Sequence, residues 1–161
     1  MVKAHIGILA GLILTLLGAT SARAQQIQTN PGSACQASGS AQDLYYSGVN
    51  VANRTDGQAS AICPVARRNG TQGWSAIAVF VRDRHSTQDI TCVAQAKDLT
   101  GVAGSGWSET KSSSGEGEQV IVFGPAVGAP PYGPYAISCS IPTMEEAGVP
   151  SYISSYVVVE P

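Results

Sequence analysis

The chain is poor in the groups that most often perform chemistry. It holds two histidines, His5 and His85, and only 12% of its residues are charged. No H-E-x-x-H, G-x-S-x-G or C-x-x-C occurs. Those absences argue against a zincin, an α/β-hydrolase elbow and a thiolate zinc site. A D-x-D-x-D-G run is missing too, so Asp56, Asp83 and Asp89 read as turn formers rather than a calcium loop. No basic run exceeds Arg67-Arg68, which excludes nucleic acid as the expected partner. The sequence predicts no metal and no cofactor.

One long apolar run exists, and it lies at the N-terminus. Lys3 precedes IGILAGLILTLLGA, residues 6–19, which is too short to span a bilayer comfortably. Ala22-Arg23-Ala24 then supplies small residues at the spacing of a leader cleavage site. Residues 1–24 therefore read as a secretory leader of bacterial appearance, leaving a single domain over 25–161 with no membrane span. Lys3, His5 and Arg23 leave with the leader. Seven basic residues then face eleven acidic ones, a net charge of −4, and His85 is the only histidine left.

All four cysteines survive: Cys35, Cys63, Cys92 and Cys139. An even number in an exported chain predicts two disulfides. Four cysteines permit three pairings. Order and strand pattern favour Cys35–Cys63 and Cys92–Cys139.

The hydrophobic period is two rather than 3.6. DLYYSGVNVANRT places Tyr45, Val49 and Val51 on one side and runs into Asp56-Gly57, a hairpin turn signal. A strand follows at Ala59 to Cys63, with Pro64 ending it or setting it at an edge. WSAIAVFV suits a central strand, and QVIVFG reads as a second buried run. DITCVAQAK turns Ile90, Cys92, Ala94 and Ala96 to one face, and YAISCSIP does the same with Tyr135, Ile137, Cys139 and Ile141. SYISSYVVVE closes the series, while PTMEEAGV offers at most a turn or two of helix. The Gly/Ser-rich stretch from Asp98 to Glu118 leaves room for one polar edge strand around Trp107 to Lys111. The expected fold is an all-β antiparallel sandwich, jelly-roll or immunoglobulin-like. It has about seven to eight short strands and two disulfide staples.

Candidate functional residues are few. FVRDRHSTQDITC gathers Arg82, Asp83, Arg84, His85, Ser86 and Asp89, yet it lies between two strands and reads as a solvated hairpin turn. Glu116 and Glu118 alternate with glycine, which cannot fix two carboxyls at a catalytic separation. Trp107 in GSGWSET and Tyr132 in a Pro/Gly-rich connection are candidate ligand-binding aromatics. Asn53 and Asn69 match the N-glycosylation acceptor pattern. The expected function is a secreted or periplasmic, non-catalytic binding module with a protein or glycan partner. A small hydrolase using His85 and a structural subunit of a surface assembly are the alternatives.

Overall fold

The computed structural model describes residues 25–39, 44–100 and 106–161, so the expected leader lies outside the described residues. Among the described residues the period-two pattern emerges as eleven strands and one 3-10 turn. The N-terminal part contains β1 (Gln26–Pro31), the 3-10 turn Gly32–Ala34, β2 (Gln36–Ala37), β3 (Leu44–Ser47) and β4 (Asn50–Asn53). There follow β5 (Ala59–Val65), β6 (Ala76–Asp83), β7 (Thr91–Lys97) and β8 (Gly106–Ser112). The last three are β9 (Gly117–Phe123), β10 (Tyr135–Ile141) and β11 (Tyr152–Glu160).

They form two antiparallel sheets. One runs β3-β4-β11-β6-β9, with β1 also paired to β11; the other runs β2-β5-β10-β7-β8. Eight strands make nested antiparallel pairs: β4 with β11, β5 with β10, β6 with β9, and β7 with β8. That nesting is the jelly roll, and it decides between the two expected topologies. The remaining strands, β1 to β3, are additions at the N-terminal side.

Strict alternation builds the core between the sheets. Ile90, Cys92, Ala94 and Ala96 are all buried, as are Tyr135, Ile137, Cys139 and Ile141. Cys92 and Cys139 stand directly opposite in the β7–β10 register and are joined; Cys35 is joined to Cys63. The bridges close loops of 28 and 47 residues, each worth about 3–4 kcal/mol in the chain-entropy account. The expected edge strand is present as β8, the outermost strand of its sheet. Its Glu109 and Lys111 close one side of the sandwich. Lys111 Nζ donates to the Val122 carbonyl at 2.7 Å, and Glu109 Oε2 accepts the Gly124 amide at 3.0 Å.

Several local expectations need correction. Asp56-Gly57 and residues 84–90 are not hairpin turns. Each carries the chain from one sheet to the other, β4 to β5 and β6 to β7. The hairpin lies earlier, where Gly48 (φ 58°) and Val49 form a two-residue turn between β3 and β4. That turn resets the strand parity, so Tyr45 and Val49 are exposed while Val51 is buried. β9 is not a fully buried run either. Ile121 and Phe123 face the core, whereas Val120 and Val122 lie about half exposed on the outer face. Residues 142–151 form bends and turns rather than helix.

Candidate functional site

The two sheet-crossing corners are built alike. Each is organised by a buried polar residue closing its strand. At the end of β4, Asn53 is fully buried; its amide nitrogen reaches the carbonyls of Gly57, Ile141 and Pro142 at 2.6–3.0 Å. Its Oδ1 accepts the Thr55 amide and hydroxyl. An amide so engaged is a structural element, which answers the acceptor-pattern match at this position. At the end of β6, Asp83 is likewise fully buried. Its carboxylate accepts the amides of His85 (3.0 Å) and Ile90 (3.1 Å) and the hydroxyls of Ser113 (2.5 Å) and Ser151 (3.1 Å).

His85 belongs to the same corner. It is only 7% exposed, and its Nδ1 accepts the amides of Thr87 (3.2 Å) and Gln88 (3.1 Å). Nδ1 is therefore an acceptor and the ring proton sits on Nε2. Glu145 Oε2 lies 3.6 Å from that nitrogen, beyond hydrogen-bonding range. The carboxylate is instead claimed by Ser86, whose amide and hydroxyl donate to it at 2.5 and 2.6 Å. Those bonds hold the Glu145 carboxyl below its ordinary value of 4.5. A lowered folded-state value means the contact is fully formed above about pH 4.5 and is lost as pH falls through the folded value. The Ser86 amide resonance is thus expected to titrate with a midpoint below 4.5, and Glu145→Gln should abolish that transition. A midpoint above 4.5 would contradict the assignment.

Immediately after each corner anchor, the period-two rule turns the next side chain outward. Arg54 follows Asn53, Arg84 follows Asp83, and Tyr152 follows the buried Ser151. These three line a depression of about 240 Å³ on the outer face of the six-stranded sheet, together with Tyr45, Ser47 and Asn50. A second depression of about 340 Å³ shares Asn50 and Tyr152 and continues across the sheet to Phe80, Gln119 and Val120. The two adjoin at Asn50 and Tyr152 and are together termed the groove. In register, the row Tyr45–Ala52–Tyr152–Arg82–Glu118 crosses it, and Phe80 pairs with Val120 beside that row. Arg82 is held to Glu118 at 3.1 Å, while the Arg54 guanidinium lies 3.5 Å above the Tyr45 ring. Sequence reading missed this site. Its available signal was the repeated anchor-then-outward-residue pattern at three strand boundaries.

The sequence-predicted aromatics lie at the other end of the sandwich. Tyr152 and Glu160 sit at opposite ends of β11, roughly 26 Å apart at about 3.3 Å per residue. The Glu160 carboxylate accepts the amides of Arg68 and Asn69 there. Trp107 is half-buried, 4.9 Å from Trp74 in a T-shaped pair, and Trp74 makes a second such pair with Tyr135 at 4.7 Å. Burial raises the Tyr135 hydroxyl above its ordinary value, with Arg67 partly opposing. The hydroxyl therefore stays a donor, to the Gln72 carbonyl at 2.7 Å. Arg67 clasps this end by donating to the carbonyls of Asn69, Gln72, Pro130 and Gly133 at 2.8–2.9 Å. Tyr132 is 62% exposed, with a left-handed backbone (φ 60°) pinned by its amide bond to Gly70. Among the described residues, no three His, Cys, Asp or Glu side chains gather as a metal site. No described helix is long and apolar enough to cross a membrane.

The architecture is that of an all-β jelly-roll sandwich, and the solved structures it is similar to include carbohydrate-binding modules. The chain is similar to a β-(1,4)-mannanase from Podospora anserina carrying a CBM35 module (TM-score 0.48, 12% identity), with 82% of this chain and 27% of that one covered. It is also similar to the CBM36-1 domain of a multidomain xylanase from the hindgut metagenome of Trinervitermes trinervoides (TM-score 0.45, 11% identity, 84% and 98% covered). A third is TmCBM61, solved with β-1,4-galactotriose (TM-score 0.38, 10% identity, 86% and 85% covered). This chain thus spans about a quarter of the mannanase chain. No family model matches the sequence, and no curated protein matches it.

Proposed function

We propose that this chain is an exported, non-catalytic glycan-binding module whose ligand lies along the outer groove of the six-stranded sheet. The observation that carries the reading is the groove itself. Tyr45, Tyr152 and Phe80 line it beside Asn50, Gln119 and the arginines. A sugar ring has an apolar C–H face and a belt of hydroxyls, and an aromatic surface flanked by amides and guanidiniums answers both. Export is supported by the expected leader over 1–24 and by two disulfides, which persist in oxidising compartments.

Calorimetry against a panel of soluble cell-wall and storage glycans tests the reading. A ligand is expected whose affinity falls about tenfold or more in Tyr152→Ala, a loss of about 1.4 kcal/mol or more. Melting should stay near the wild-type temperature. Unchanged affinity in both Tyr152→Ala and Tyr45→Ala would remove the groove as the site.

A second reading is favoured by Tyr132. An exposed aromatic in the left-handed region, held by a four-carbonyl arginine clasp, is a strained arrangement of the kind found at contact sites. There the end bearing Trp107 and Tyr132 would anchor a protein partner. Loss of binding in Tyr132→Ala with retention in Tyr152→Ala would move the site to that end.

A further inference from the structure

We infer that the groove selects an acidic glycan, one carrying its charge as a uronate carboxylate. This deepens the glycan reading and rests on it.

The charge at the groove runs against the charge of the protein. The domain beyond the expected leader carries a net −4, yet the 240 Å³ depression holds two guanidiniums, and no Asp or Glu is among its described lining residues. The ion pairs among the described residues join Arg82 to Glu118 and Lys111 to Glu109; neither Arg54 nor Arg84 takes part in one. Among the described residues, two cations are thus presented together without an ion-pair partner. In a chain with surplus carboxylates, that arrangement leaves the counter-charge to a ligand.

The backbone of each arginine is fixed, and the Arg54 guanidinium is held as well. Arg54 packs over Tyr45, its guanidinium carbon 3.5 Å from the ring centroid. Stacking uses the face of the guanidinium and leaves its edge donors free for a planar two-oxygen acceptor. Its backbone follows directly from Asn53, fixed by the bonds described above. The Arg84 backbone follows Asp83, and its own amide donates to Ser151 Oγ at 2.8 Å. Tyr152, next after that serine, offers an aromatic surface in the same depression. A sugar ring against tyrosine, with its carboxylate turned toward the arginine forks, uses every one of these groups. A neutral sugar leaves the two cations without a partner. The planar carboxylate matches the fork bidentately; a tetrahedral ester does so too, and the sulfated chains of the test tell the two apart.

The test measures binding by the intact, oxidised protein of oligogalacturonate, oligomannuronate and a glucuronate-bearing oligosaccharide, each beside its methyl ester. Sulfated oligosaccharides and the neutral panel complete the set. At least one acid form is expected to bind about tenfold or more tighter than its ester, and more weakly as salt rises. Arg54→Gln and Arg84→Gln should each weaken the acid about tenfold and the ester within about twofold, and Arg54→Lys should recover only part of the loss. Thermal melting of each variant separates a binding defect from a folding one. Equal binding of acid and ester, or no change in both arginine variants, overturns the inference. The glycan reading survives that result if binding still depends on Tyr152. Preference for a sulfated chain over every uronate overturns the carboxylate assignment. Binding of none of the glycans overturns both.

Discussion

Asp83→Ala is expected to destabilise the protein by about 3–5 kcal/mol, read as a lowered urea midpoint with an unchanged slope. Four donors converge on this fully buried carboxylate from three segments of chain: the corner itself, Ser113 after β8 and Ser151 before β11. Truncation strands them in a buried site. Ile90 keeps a second partner in Ser113 Oγ at 2.8 Å, so the loss falls chiefly on His85, Ser151 and the Ser113 hydroxyl. Asp83→Asn keeps the shape but turns an N–H₂ toward donors, and should retain only part of the stability. A change below about 1 kcal/mol for Asp83→Ala would show that this network does not organise the corner. The same substitution loosens the backbone that presents Arg84, so affinity for the acidic ligand should fall with stability.

Trp74→Ala is expected to cost about 3–5 kcal/mol as well, lowering the melting temperature by roughly 10 °C or more. Trp74 is 1% exposed, packs edge-on against Trp107 and Tyr135, and donates its indole N–H to the Gly124 carbonyl at 2.9 Å. Its loss leaves a cavity and an unanswered carbonyl together. The consequence for binding separates the two ends of the molecule. If the ligand occupies the groove, folded Trp74→Ala binds it with wild-type affinity, because distant sites act additively. If the ligand occupies the Trp107–Tyr132 end, affinity falls along with stability. Calorimetry well below the lowered melting temperature makes the distinction.

What was legible in the sequence was local and periodic. The inward faces of β7 and β10 follow from alternation, and the placement of Cys92 and Cys139 on those faces led to their pairing. The strand around Trp107 was recoverable despite its polarity because it is an edge strand. What failed were statements about which sheet a strand joins. Asp56-Gly57 and the Arg84–Ile90 stretch do mark changes of direction. Turn chemistry does not reveal whether the chain then pairs with the strand it left or crosses to the other sheet. Alternation alone gives Tyr45 and Val51 one parity, because nothing in the local pattern marks the turn at Gly48-Val49. The groove was invisible for a related reason. Arg54, Arg84 and Tyr152 meet only because the nested pairing brings three distant strand boundaries to one end.

The placement of β1 has a mechanical consequence. It pairs antiparallel along β11, with Gln26 opposite Glu160 and Pro31 opposite Ser155. A pull applied between those two ends loads the ladder one rung at a time, like a zipper, and not all rungs at once as in shear. β1 should peel at low force. Peeling then halts at Cys35, whose covalent bond to Cys63 anchors the chain within β5 of the opposite sheet. At most about ten residues, roughly 35 Å of slack, can pay out before the disulfide takes the load. From the N-terminal side no further chain pays out until that bond is reduced.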